Sequence, residues 1–243
     1  MRILRAGLLP ILVLAMTGCA TQQKKTMSAN VPNDKWWDAA TASPDTTTRN
    51  LAKVRVAIQA ASGQTFSLGI SPDQDVNAHA LKQGGKSLIV LTGGFLKQFG
   101  DDPDVLANVM GHELAHHALG HTKAGYKQNR DTTVEAVSTA VGMISSFFIP
   151  FSGLLVGNAV KAAGLSYSRD DERDADQKGM DWAIQAGYSV CGSYRFAYWL
   201  NEANQGATLL MLSSHPGNNE RMDTAKNRGL LFDGTTCDKP VVN

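Results

Sequence analysis

His112-Glu113-Leu114-Ala115-His116 is the stretch that leaves this chain the least freedom. Two histidines four residues apart share one metal ion only on a helix, where about 100° per residue puts both imidazoles on one face. Glu113 then lies on the flank of that pair, placed to take a proton from a water molecule without itself binding the metal. An ordinary polar helix face would carry the same residues, so the flanks decide. Asp102 reads as an N-cap with Pro103 at the first helical position, and Gly120 reads as the stop. The spacing therefore predicts a helix from about Pro103 to Leu119, with the motif inside it.

At the N-terminus, Arg2 and Arg5 precede an apolar run from Ala6 to Met16 that ends in Thr17-Gly18-Cys19. The run is too short to span a bilayer comfortably and has the layout of an export signal. Met16-Thr17-Gly18-Cys19 is similar to the bacterial lipobox, which implies a signal over 1–18 and a lipid anchor on Cys19. Ala20 stands where an inner-membrane retention signal would tend to have Asp, so the expected address is the periplasmic face of the outer membrane. Without residues 1–18 the chain keeps 21 of its 23 basic residues against 22 acidic ones, close to neutral. That balance excludes the basic field a nucleic-acid partner would need. With Cys19 assigned to lipid, Cys191 and Cys237 remain as one possible disulfide of an oxidising compartment, or as two free buried thiols.

Residues 19–45 begin as a polar tether, with a short helix expected over Asp34 to Ala40. A longer helix is expected from Thr46 to Ala61, buried through Leu51, Val54, Ile58 and Ala61 and ended by Gly63. The period then shortens to that of strands at Thr65 to Ser71, Val76 to Leu81 and Ser87 to Thr92, with Gly84-Gly85 as a turn. A peptide could add itself to the edge of such a sheet, with Asn77-Ala78 and Leu88 to Leu91 as candidate edges. No charged residue occurs from Ala136 to Val160, but Pro150 and three glycines argue against a membrane span. Two apolar helices are expected there instead, Thr133 to Phe148 and Ser152 to Leu165, able to cover a cleft or touch lipid. Further helices are expected over Ser168 to Ala186, Cys191 to Asn204 and Asn218 to Arg228, the last ended by Gly229.

Two histidines leave a catalytic metal one ligand short. Thr122 stands where a third local histidine would be required. His121, beyond Gly120, is read as structural or surface, and His117 as pointing away from the metal face.

His112-Glu113-x-x-His116-x-x-x-Gly120-His121, then Ser168-Arg169-x-x-Glu172-x-x-Ala175-Asp176, then His215-Pro216 with Arg221, resembles the HtpX/BepA/LoiP-like group of zinc metalloendopeptidases. Val76-Asn77-Ala78 and Gly84-Gly85 match the group's strand motifs, with His79 where an aromatic is common. The resemblance implies an α+β, zincin-like fold over residues 46–243, mainly helical with a small sheet in the upper lobe. It implies one Zn2+ per chain held by His112, His116 and Glu172, with Glu113 as general base. Asp176 would orient a ligand histidine, His215 with Arg221 would serve catalysis by steadying an oxyanion, and Asn77-Ala78 would bind substrate. Asp170, Asp171 and Asp174 are left as a solvated helix face. The implied activity is hydrolysis of unfolded or misassembled envelope proteins. A chaperone or assembly factor on the same fold that rarely cuts is the rival, and retention of Glu113 speaks against it.

Overall fold

The computed structural model describes residues 28–123, 154–155, 167–203, 215, 219–232 and 237. Cys19 and most of the uncharged stretch lie outside the described residues. In chain order the elements are β1 (Ser28–Ala29), α1 (Asp34–Ala40), α2 (Thr46–Ser62), β2 (Ser67–Ser71), β3 (Ala78–Gln83), β4 (Lys86–Thr92), α3 (Gly93–Phe99), α4 (Pro103–Ala118), β5 (Leu154–Leu155), α5 (Arg169–Gln185), α6 (Cys191–Ala203) and α7 (Asn219–Phe232). The fold is the mainly helical, zincin-like one expected, with a small mixed sheet.

Helix α4 is the axis of the molecule. Asp102 caps it through the Val105 N–H at 3.1 Å, Pro103 opens it, and every residue from Val105 to His117 is buried. A helix buried all round has no solvated face for its polar residues, so each of them needs a partner inside the protein. Leu106, Met110 and Leu114 pack into the main core with Leu51, Val54 and Ile58 of α2, Leu68 of β2, and Ile89 and Leu91 of β4.

The sheet runs β2-β4-β3, with β2 parallel and β3 antiparallel to β4. Gly84 and Gly85 both have positive φ, 54° and 78°, the requirement of a tight two-residue hairpin turn. Because β4 is paired on both sides, Leu88 to Leu91 is not an edge, contrary to one of the two expectations. Among the described residues β3 has one sheet partner. The opposite edge, β2, is strapped by the N-terminal arm. Asn30 and Ile70 exchange N–H···O bonds of 2.8 Å in both directions, and β1 pairs with Leu154–Leu155 of β5.

That last pairing corrects a second expectation. Leu154 and Leu155 are extended, not part of a helix from Ser152 to Leu165. Gly153 and Gly157 flank them and weaken any helix there. Among the described residues no helix is long and apolar enough to cross a membrane.

Helices α4 and α5 cross where glycine faces glycine. A Cβ on Gly111 would stand 2.7 Å from the Gly179 carbonyl oxygen, and one on Gly179 would stand 2.6 Å from the His112 amide nitrogen. Only backbone fits between these helices, so their axes run close. The two metal-motif histidines of α4 are thereby brought against the acidic residues of α5.

A disulfide joins Cys191 at the start of α6 to Cys237 in the tail. It explains the failed stop at Gly229, since α7 continues through that glycine to Phe232. A Cβ there would meet Cys237 Sγ at 2.6 Å and Cys191 Sγ at 3.1 Å, so the glycine makes room for sulfur and does not end the helix. The bridge closes a loop of 46 residues. On the chain-entropy account this stabilises the fold by about 4 kcal/mol. Reduction, or Cys237→Ala, should lower the denaturant midpoint, with an m-value equal to or above that of the bridged protein because the freed chain exposes more surface on unfolding. An unchanged midpoint would show that the tail is not held by the bridge.

Candidate metal and catalytic centre

Five histidines lie in or beside α4 and its neighbours, and the structure sorts them by what each ring nitrogen faces. His112, His116, Glu172 and His215 bring one donor atom each to within 4.8 Å of one another, and all four are buried. His112 Nε2 is 3.0 Å from His116 Nε2, and Glu172 Oε1 is 3.3 Å from His116 Nε2. Two imidazole nitrogens and a carboxylate oxygen are the donor set that a catalytic zinc takes, with one position left for water or substrate. Burial holds the His116 imidazole well below its ordinary pKa, hence neutral. Burial would raise the Glu172 carboxyl, but the imidazoles of His215 and His112 hold it well below the usual carboxylate range. Neutral imidazole and ionised carboxylate are the forms that bind a cation. The residues present therefore fit a divalent zinc ion.

Glu113 is completely buried, and neither of its carboxylate oxygens has a hydrogen-bond partner among the described residues. His215 Nε2 lies 3.6 Å from its Oε1. A buried carboxylate without partners costs several kcal/mol unless something else engages it, so its place is a functional one.

Asp176 lies one turn beyond Glu172 on α5, with Oδ1 2.9 Å from His112 Nδ1. Arg221 of α7 closes a fork on it, Nη2 to Oδ1 at 2.7 Å, and reaches Glu172 Oε2 with Nη1 at 2.9 Å. Burial would raise the Asp176 carboxyl, yet Arg221 and then His112 bring it down to about 2. Arg221 thus turns toward the acidic residues and braces them. His215 Nδ1 sits 3.1 Å from Glu172 Oε1 and 3.3 Å from His112 Nε2, within the metal group itself.

Asn77 and Ala78 are not in this group. They lie at the start of β3, held by paired contacts with Thr92. The Asn77 N–H donates to Thr92 Oγ1 at 3.0 Å, the Thr92 N–H donates to the Asn77 carbonyl at 3.1 Å, and Ala78 N–H donates to Asn77 Oδ1 at 2.9 Å.

One sequence reading is overturned here, and another is narrowed. Asp171 is not on a solvated face. It is buried and forms a capping box with Ser168, accepting the Ser168 N–H at 2.9 Å, because the first turn of α5 tucks under α4. His121 is neither surface nor remote. It is buried, with Nδ1 3.0 Å from His116 Nδ1. His117 does turn away, its Nε2 meeting the Leu88 carbonyl at 3.2 Å. Tyr167, which no motif singled out, stacks on the His116 ring with centroids 3.7 Å apart.

Comparison with known proteins finds relatives of this chain. The metalloprotease YcaL of Escherichia coli is 29% identical over 183 residues, covering 74% of this chain and 69% of that protein. The metalloprotease LoiP of the same organism is 28% identical over 170 residues, covering 69% of this chain and 64% of LoiP. The chain thus spans about two thirds of the length of each. Residues 44–229, which carry α2 through most of α7 and every member of the buried metal group, match peptidase family M48, and the chain belongs to that family of metalloproteases.

Proposed function

We propose that the protein is a zinc-dependent endopeptidase of the bacterial cell envelope that hydrolyses misfolded or misassembled envelope proteins. The observation that carries this reading is the buried Glu113 carboxylate, without a hydrogen bond among the described residues, beside the His112, His116 and Glu172 donor set. A bound zinc would supply Lewis acidity, polarising a peptide carbonyl and acidifying water. His112, His116 and Glu172 would hold that ion, while Asp176, braced by Arg221, fixes the ring plane of His112. Glu113 would accept the proton of the attacking water and pass it to the leaving amine. His215 Nε2, 3.6 Å from Glu113 Oε1, would serve as a donor to the developing oxyanion. The edge strand β3, starting at Asn77 and Ala78, would take the substrate backbone as an added strand.

The address is part of the proposal. An acylated Cys19 would tether the catalytic domain to the periplasmic face of the outer membrane, with no role for nucleic acid. Detergent-extracted full-length protein should carry about one zinc per chain and cleave an unfolded protein substrate. A chelator should abolish cleavage and added zinc restore it, and mass spectrometry should find the mature chain starting at acylated Cys19. Zinc binding without cleavage would turn the reading to the chaperone or assembly factor. A mature N-terminus elsewhere would remove the lipid anchor.

A further inference from the structure

Helix α4 ends in a way that returns the chain onto its own second metal-face histidine. Gly120, at φ 81°, lets its N–H donate to the His117 carbonyl at 3.1 Å, and the His121 N–H donates to the His116 carbonyl at 2.9 Å. This paired reversal brings the residue after the glycine back against the third residue from the helix end. An apolar contact usually completes it. Here the contact is imidazole on imidazole.

The tautomers follow from what each nitrogen faces. His116 Nε2 looks into the metal group, so a metal ligand there requires its lone pair and leaves the proton on Nδ1. Among the described residues that proton goes to His121 Nδ1, 3.0 Å away, which must then be the acceptor. The His121 proton is accordingly on Nε2, which faces Asp171 Oδ1 at 3.6 Å. Asp171 is itself fixed by the capping box with Ser168. Tyr167 covers the His116 ring from one face, and His116 has no exposed surface.

We propose that His121 is the residue that positions His116 toward the metal, as Asp176 positions His112. This rests on the reading of His112, His116 and Glu172 as zinc ligands. The two ligand histidines are then braced from different sources. His112 leans on a carboxylate anchored by an arginine. His116 leans on a neutral imidazole whose tautomer is set by a helix cap. Outer contacts of this kind fix the ring plane and raise the basicity of the ligating nitrogen, and their loss weakens metal affinity about 10–100-fold.

The test is zinc affinity of full-length, detergent-extracted protein, measured by competition with a chromophoric chelator for wild type, His121→Leu, His121→Asn and His121→Gln. Asn puts an acceptor where Nδ1 stands, whereas Gln puts it where Nε2 stands. His121→Leu and His121→Gln should weaken zinc by about 10–100-fold, and His121→Asn should recover most of that loss. In cobalt-substituted protein the visible absorption should change in the Leu and Gln variants and be kept in the Asn variant. Wild-type affinity in His121→Leu, or equal losses in the Asn and Gln variants, would overturn the proposal. Should the Leu variant not fold, the Asn and Gln pair decides alone. A wild-type protein that binds no zinc would instead overturn the ligand reading on which the proposal stands.

Discussion

Glu113→Gln should leave zinc content at the wild-type level and slow peptide cleavage by about 10³-fold or more, within the range general-base loss produces. The amide keeps the shape of the side chain but cannot take a proton from water. The side chain is not one of the four that converge on the metal position, so the ion does not need its charge. A second, less usual consequence concerns stability. Glu113 is fully buried with neither oxygen hydrogen-bonded among the described residues, and a buried polar group so placed works against folding. The neutral amide should therefore raise, or at least not lower, the thermal midpoint of the metal-free protein. Lost activity with a raised midpoint is the pattern of a group kept for function at a cost to the fold. Cleavage at the wild-type rate would remove Glu113 from the mechanism. Loss of zinc would make it a ligand.

Gly179→Val should damage the fold and the centre together. Even a Cβ at this position would stand 2.6 Å from the His112 amide nitrogen and 2.9 Å from its Cα, and both are backbone atoms that cannot rotate aside. Helices α4 and α5 would have to separate, and overpacking of this kind costs about 1–3 kcal/mol, occasionally more. Glu172 lies two turns before Gly179 on the same helix, so the separation would also carry a proposed ligand away from His112 and His116. The expected result is a denaturant midpoint lowered by at least about 3 kcal/mol equivalent, with zinc affinity reduced in whatever fraction still folds. Gly111→Ala, which meets the Gly179 carbonyl oxygen at 2.7 Å, should act in the same direction. A variant with wild-type midpoint and zinc content would show that the crossing tolerates side chains.

The parts of the molecule that could be read from sequence are those with local causes. Asp102, Pro103 and Gly63 mark helix ends by their own chemistry, and α1, α2, α4 and α5 begin and end within a residue or so of where the caps placed them. The buried group of His112, His116, Glu172 and His215 was legible because ordered motifs name its members, although nothing in their spacing said that His215 would come within 3.1 Å of Glu172. What stayed hidden needs a partner remote in the chain. Gly229 looked like a stop because its role depends on two sulfur atoms, one of them in the tail. Leu88 to Leu91 looked like an edge because strand order is not written in strand sequence. Asp171 looked solvated because its burial comes from α4 above it. His121 was left between a structural and a surface place for a different reason. Gly120 was read as an end, yet a glycine that ends a helix in this manner folds the next residue back. That signal was present and unused.

The N-terminal strap bears on how many guests the sheet can accept. A sheet with two bare edges is a template at both, and copies that pair edge to edge can add without limit. Here Asn30 fills the backbone groups of Ile70 on the β2 side, so a strand arriving from outside finds that side already taken by the protein's own chain. Among the described residues β3 is the edge left to receive one. Two molecules that met through their sheets would each spend their single receptive edge on the other, and the pair would have nothing left with which to recruit a third.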